Sequence, residues 1–108
     1  MSTEGAGNIS FGTQIATVIR AARTGLGWSQ QVLATATGIS KPTIARIEMS
    51  NISPRADTID TIIQVFRASG VEIEILDGEV AIKFRKSALL SVQGKANRAE
   101  PIPPSLDT

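Results

Sequence analysis

The sequence predicts a mainly α domain of four to five helices followed by a C-terminal β-hairpin. Three observations carry that class. Apolar residues recur at helical spacing from Phe11 to Ser69, in four runs separated by glycine, serine or proline. The period then changes to alternation in Val71–Leu76 and Glu79–Phe84. Between those two stretches stands Asp77-Gly78, a strong two-residue hairpin signal.

Each element has its own local reason. Met1–Asn8 is small and polar and lacks the pattern of a secretion signal, and residues 1–9 are expected to be disordered. Ser10 is placed to cap a first helix, about Phe11–Thr24, in which Ile15, Ile19 and Ala22 fall at i, i+4 and i+7 and face the core. Gly25 and Gly27 bracket a turn from which Leu26 and Trp28 drop inward. Ser29 stands at the N-cap of a second helix, about Gln30–Thr37, with Val32, Leu33 and Ala36 forming its apolar face. Gly38 suits the left-handed residue that ends this helix, and Ile39 plugs the angle to the next. Ser40 caps a third helix, about Lys41–Met49, and Pro42 lies in its first turn, where a missing N–H costs nothing. Ile44 and Ile47 face inward, so Lys41, Thr43 and Arg46 point away together with Ala45 beside them. After a loop containing Pro54, Asp57 is expected to cap a fourth helix, about Thr58–Ser69, whose inward side holds Ile59, Ile62, Ile63 and Phe66; Gly70 stops it.

Counting back from the hairpin turn sets the pairing: Ile75 faces Val80, Ile73 faces Ile82, and Val71 faces Phe84. All six share one sheet face, while Glu72 faces Lys83 on the other as a cross-strand ion pair. The apolar strip is expected to pack on the fourth helix and to meet a second subunit, making residues 71–86 the dimerisation element. Ser87–Gln93 can form a short helix around Leu89, Leu90 and Val92. Three prolines follow Gly94, so residues 87–108 are expected to be a mostly flexible tail, able to serve as a partner-binding arm.

Composition narrows the function classes. Cysteine and histidine are both absent, which removes disulfides, zinc fingers and imidazole chemistry. No apolar run approaches the length of a membrane span, so a cytoplasmic location is expected. No phosphate-cradling glycine loop and no carboxylate cluster with metal-ligand spacing occurs, and Ser40-Lys41 are neighbours that diverge on a helix; no enzyme, no metal and no cofactor are expected. Trp28 has only three phenylalanines for aromatic company, so core packing suits it better than base stacking. The net charge is +1, but residues 1–56 carry +3 and residues 57–108 carry −2. The positive half coincides with the two short helices, as attraction to phosphate requires.

Ser29 to Asn51 thus has the layout of a helix-turn-helix that lays one helix into the major groove of DNA. The stretch from about Phe11 to Gly70 resembles the Cro/repressor-type helix-turn-helix family, also called the xenobiotic-response-element family. The matching residues are Ile19–Arg23, Leu26–Gln30, Leu33-Ala34, Gly38–Ser40, Thr43-Ile44 and Ile47-Glu48, continued by Ser53-Pro54 and the apolar helix Thr58–Ala68. One departure is Met49-Ser50-Asn51, where the family often carries a glycine-containing turn.

The resemblance implies a DNA-binding regulator. Lys41 can reach a guanine edge or a phosphate, Thr43 offers a methyl to thymine, Arg46 suits a bidentate contact to guanine, and the ring of Pro42 can press on a base or sugar. The duller readings are a solvated lysine, a surface threonine, a surface ion pair and helix initiation. By resemblance Gln30 grips phosphate; Ser29 and Ser40 at helix starts can join it, with pure capping as their duller reading, and Asn51, Ser53 and Arg55 in the following loop and Arg20 on the far side are placed for the same contact. Also by resemblance, Arg23 and Glu48 form a partly buried structural ion pair. The implied partners are double-stranded DNA, bound at an inverted repeat, and a second copy of the chain. An alternative is an antitoxin-type protein that binds a toxin through its C-terminal region while controlling its own promoter.

Overall fold

The computed structural model describes residues 7–50 and 52–99. Among them are α1 (Phe11–Gly25), α2 (Gln30–Thr37), α3 (Lys41–Glu48), α4 (Ala56–Ala68), β1 (Val71–Leu76), β2 (Glu79–Phe84) and α5 (Lys86–Ala99). Three helix starts are built as the serines predict: Ser10, Ser29 and Ser40 have extended backbones, and their hydroxyl oxygens accept from the N–H groups of Thr13, Val32 and Thr43. Gly38 closes α2 in the left-handed region, at φ 76°.

The core gathers Ile15, Val18, Ile19 and Ala22 of α1 with Leu26, Leu33, Ile44, Ile47, Ile62, Phe66, Val71 and Ala88. Each of the larger side chains contributes about 1.5–3 kcal/mol by leaving water. Trp28 packs against this cluster and stacks on Phe66, with ring centroids 5.9 Å apart. Ile39 lies against it as well, at the angle between α2 and α3.

The hairpin has the predicted register throughout, Val71 opposite Phe84 through Leu76 opposite Glu79. Gln14 of α1 anchors its turn: the side-chain amide donates to the carbonyls of Leu76 and of Glu79, the latter at 2.8 Å. Phe84 lies so close over α1 that a Cβ on Gly25 would overlap its ring. Gly70 is needed twice over, by its φ of 88° and by the start of α5, where a Cβ would sit 2.9 Å from the Ala88 nitrogen.

Several expectations are corrected. Asp57 does not cap α4; Arg55 is the capping residue, without a side-chain bond, and Asp57 lies in the first turn. In α2 the buried residues are Leu33 and Ala34, while Val32 and Ala36 are exposed. Glu72 reaches Arg67 at 3.3 Å and Arg85 at 3.5 Å instead of Lys83.

The chain after the hairpin is not a loose tail as far as Ala99. It forms α5, which buries Ala88, sets Val92 against the core, and sends Lys95 to the Leu26 carbonyl at 3.3 Å. Leu89 and Leu90 are 55% and 54% exposed. The expectations for residues 1–6 and 100–108 lie outside the described residues.

The apolar strip of the hairpin packs on its own chain, as expected. Val71 is fully buried, and Ile73, Ile75, Val80, Ile82 and Phe84 pack against the same chain's core. The strip is therefore part of the intrachain core first, with half-exposed margins on all but Val71.

Candidate nucleic-acid interface

Ile44, Ile47 and Glu48 are buried and turn one side of α3 to the protein. The opposite side follows from helical geometry. Pro42, Arg46 and Met49 fall at i, i+4 and i+7, all exposed, with Lys41 exposed at one margin and Ala45 half-buried between. Neither Lys41 nor Arg46 makes an ion pair within the described residues, so two basic side chains stand unengaged on this face.

Thr43 departs from the expected trio. It is half-buried at the flank, and its hydroxyl accepts from Ser40 Oγ at 2.8 Å while Ser40 Oγ caps its N–H. Thr43 thus helps to build the first turn of α3. Met49 was missed as a surface residue, although it is 67% exposed. The signal was its i+3 spacing from Arg46, hidden because Met49 is the C-cap, one residue beyond the end of α3.

Behind α3 lies a bonded lattice. Arg23 holds Glu48 with two hydrogen bonds, Nε to Oε2 at 2.7 Å and Nη2 to Oε1 at 3.0 Å. Its third nitrogen donates to the Trp28 carbonyl at 2.8 Å. Gln30 donates to Glu48 Oε1 at 3.1 Å, and Arg20 donates to the Glu48 backbone carbonyl at 2.9 Å. Glu48 is 3% and Arg23 13% exposed, so burial and neutralisation go together. Among the described residues no buried side-chain nitrogen or oxygen lacks a partner. The ion pair implied by resemblance is present. Gln30 and Arg20 belong to the same lattice, so each reaches phosphate only with what Glu48 leaves unused.

The loop after α3 begins with Ser50 in the left-handed region, at φ 59°. A glycine would adopt this conformation without strain, and here a serine does so, donating to the Gly12 carbonyl at 3.4 Å. Asn51, expected at the phosphates, lies outside the described residues. Ser53 and Arg55 are exposed. Arg55 meets Asp57 only at 3.6 Å, with both side chains well solvated, a pairing weak enough to yield to a phosphate. Ser29 spends its oxygen on capping.

The whole assembly is a short exposed helix, basic in front and clamped behind. A family model described as helix-turn-helix matches residues 19–73, about half of the chain. Neither the curated proteins nor the solved structures compared include a match. No described helix is long and apolar enough to cross a membrane, and no described cluster of acidic residues could hold a metal ion.

Proposed function

The chain belongs to the Cro/C1-type helix-turn-helix family of DNA-binding transcription regulators, and from that premise we propose that it is a repressor that binds an inverted repeat as a homodimer, with α3 in the major groove. The observation that carries the reading is the unengaged face of α3, where Lys41 and Arg46 flank Pro42 and Met49. In this reading Arg46, and Lys41 beside it, read guanine through O6 and N7, and Met49 and Pro42 lie against thymine methyl groups. The exposed face carries no amide and no carboxylate, the groups that read adenine and cytosine. Arg55, Ser53 and the backbone at the starts of α2 and α3 hold phosphates and set the register without reading sequence. The protein acts by occupancy and has no enzymatic step, in the cytoplasm at the nucleoid.

The test is a gel shift with the intergenic DNA beside the gene, searched for an inverted repeat. The parent protein should bind it. Affinity should fall by about a thousandfold between roughly 50 and 200 mM salt if some six phosphates are neutralised across the dimer. Lys41→Ala combined with Arg46→Ala should abolish the specific shift. Equal binding of parent and double variant would overturn the proposal.

The antitoxin-type reading draws support from one feature, the neighbouring exposed Leu89 and Leu90 on α5. Leu89→Asp with Leu90→Asp should leave operator binding intact and abolish co-purification with the product of an adjacent gene. If no such product co-purifies with the parent protein, this reading falls.

A further inference from the structure

The homodimer proposed above does not say which surface joins the copies, and the present inference rests on it. We propose that two copies pair through the outer edges of β2, forming one four-stranded antiparallel sheet with its two-fold axis at Ala81. The hairpin is a sheet of two strands, so each strand has an unpaired edge. A two-residue turn makes Leu76 and Glu79 a hydrogen-bonded pair, and alternation along the ladder aims the peptide groups of Glu79, Ala81 and Lys83 at β1. The peptide groups of Val80 and Ile82 point the other way, off the edge, and among the described residues no backbone bond from outside the hairpin takes them up. Centring two antiparallel copies on Ala81 brings Val80 of one opposite Ile82 of the other, where each pair exchanges both N–H···O=C bonds.

Charge selects this edge and this register. On the exposed face the arrangement sets Glu79 against Lys83 of the second copy on both sides of the axis, with small Ala81 at the centre. Moving the centre one residue either way leaves no opposite-charge pair within the strands: Lys83 would face Asp77 in the turn, or Glu79 would face Arg85 beyond β2, which Glu72 already holds. The edge of β1 offers no equivalent, because the strand holds Glu72 and Glu74 and no base. Centring it on Ile73 or Glu74 opposes glutamate to glutamate. On the inner face Val80 and Ile82, left half-exposed by their own chain, lie side by side with Ile82 and Val80 of the second copy and continue the apolar strip across the axis. The interface is isologous, as a two-fold dimer requires.

The experiment is sedimentation of the full chain and of two charge variants, E79K and K83E. E79K leaves both exposed positions basic, and K83E leaves both acidic. Both positions are solvent-facing, and far-ultraviolet circular dichroism checks that the variants fold. The parent should be a dimer at tens of micromolar. Each variant alone should dimerise at least about tenfold more weakly, since like charges then oppose each other across the axis. An equimolar mixture should recover dimers, identified as heterodimers by native mass spectrometry, because every cross-axis pair is again opposite in sign. A monomeric parent would overturn the pairing and the homodimer together. A dimeric parent whose variants dimerise as well as it does would overturn the edge assignment and leave the homodimer standing. Weakened variants that fail to rescue each other would overturn the register. DNA binding is measured separately through Lys41 and Arg46, so its failure is not confused with any of these.

Discussion

Behind α3, Glu48 is almost fully buried, and its side chain and carbonyl are held by Arg23, Gln30 and Arg20. In front of it, Lys41, Pro42, Arg46 and Met49 stand in solvent. One helix of eight residues, with Met49 as its C-cap, carries both surfaces. The difference teaches a division of labour. Buried charges with complete hydrogen bonding hold the helix at one angle, and exposed side chains that support nothing in the fold are left to vary with the DNA they meet. A change behind the helix should therefore be read in stability, and a change in front of it in affinity.

The largest expected effect tests the back. Glu48→Ala strands the Arg23 guanidinium in a site with little water and removes the acceptor of Gln30. The loss should be about 3 kcal/mol, read from the urea midpoint. A variant as stable as the parent would erase the contrast between the two faces.

Next comes the front. Arg46→Ala should leave the urea midpoint within about 0.5 kcal/mol of the parent. Its affinity for operator should weaken by about 1–3 kcal/mol, and discrimination at one guanine should relax. An unstable Arg46 variant would show that the front also supports the fold.

A smaller effect sharpens the chemistry of the same face. Replacing operator thymines by deoxyuridine deletes only a methyl group. Where Met49 or Pro42 covers that methyl, affinity should fall by about 0.8 kcal/mol, and in the Met49→Ala variant the Met49 share of that loss should vanish. Smallest is Ser50→Gly, at the junction of the two faces. Relief of the left-handed serine outweighs the added freedom of the unfolded chain, for a gain of about 0.5 kcal/mol in stability.

Much of this architecture could be read from the chain itself, for definite reasons. Ile15, Ile19 and Ala22 repeat over a fifteen-residue helix, long enough for periodicity to single out one face. The hairpin register followed from a turn of fixed length. Where the reading failed, the deciding partner was distant or the element was short. The eight residues of α2 make about two turns, too few for Val32, Leu33 and Ala36 to define a face against Leu33 and Ala34. Glu72 was assigned its cross-strand neighbour, but Arg67 from α4 and Arg85 beyond β2 reach it first.

The candidate site shows the same split. Lys41, Pro42 and Arg46 were placed correctly on the exposed face, because two inward isoleucines orient α3. Thr43 stands half-buried at the flank of that face, its hydroxyl bonded to Ser40, a contact that helical counting does not register. That Arg20 and Gln30 also bind Glu48 was not legible, because only the folded chain brings Glu48 to them. Gly94, read as the end of order, sits within α5; Lys95 beside it donates to the carbonyl that ends α1, a contact sixty-nine residues away in sequence.

Gln14 grips the hairpin turn and Arg23 grips Glu48, and both grow from α1. Nine residues separate them, about 14 Å of unbroken helical rod. If two copies join at the hairpin, this rod works as a calliper: it sets how far apart the two reading helices stand, and neither jaw can slide. Such a protein would tolerate a changed base better than a changed spacing, and one base pair inserted between half-sites should forfeit simultaneous docking by both copies.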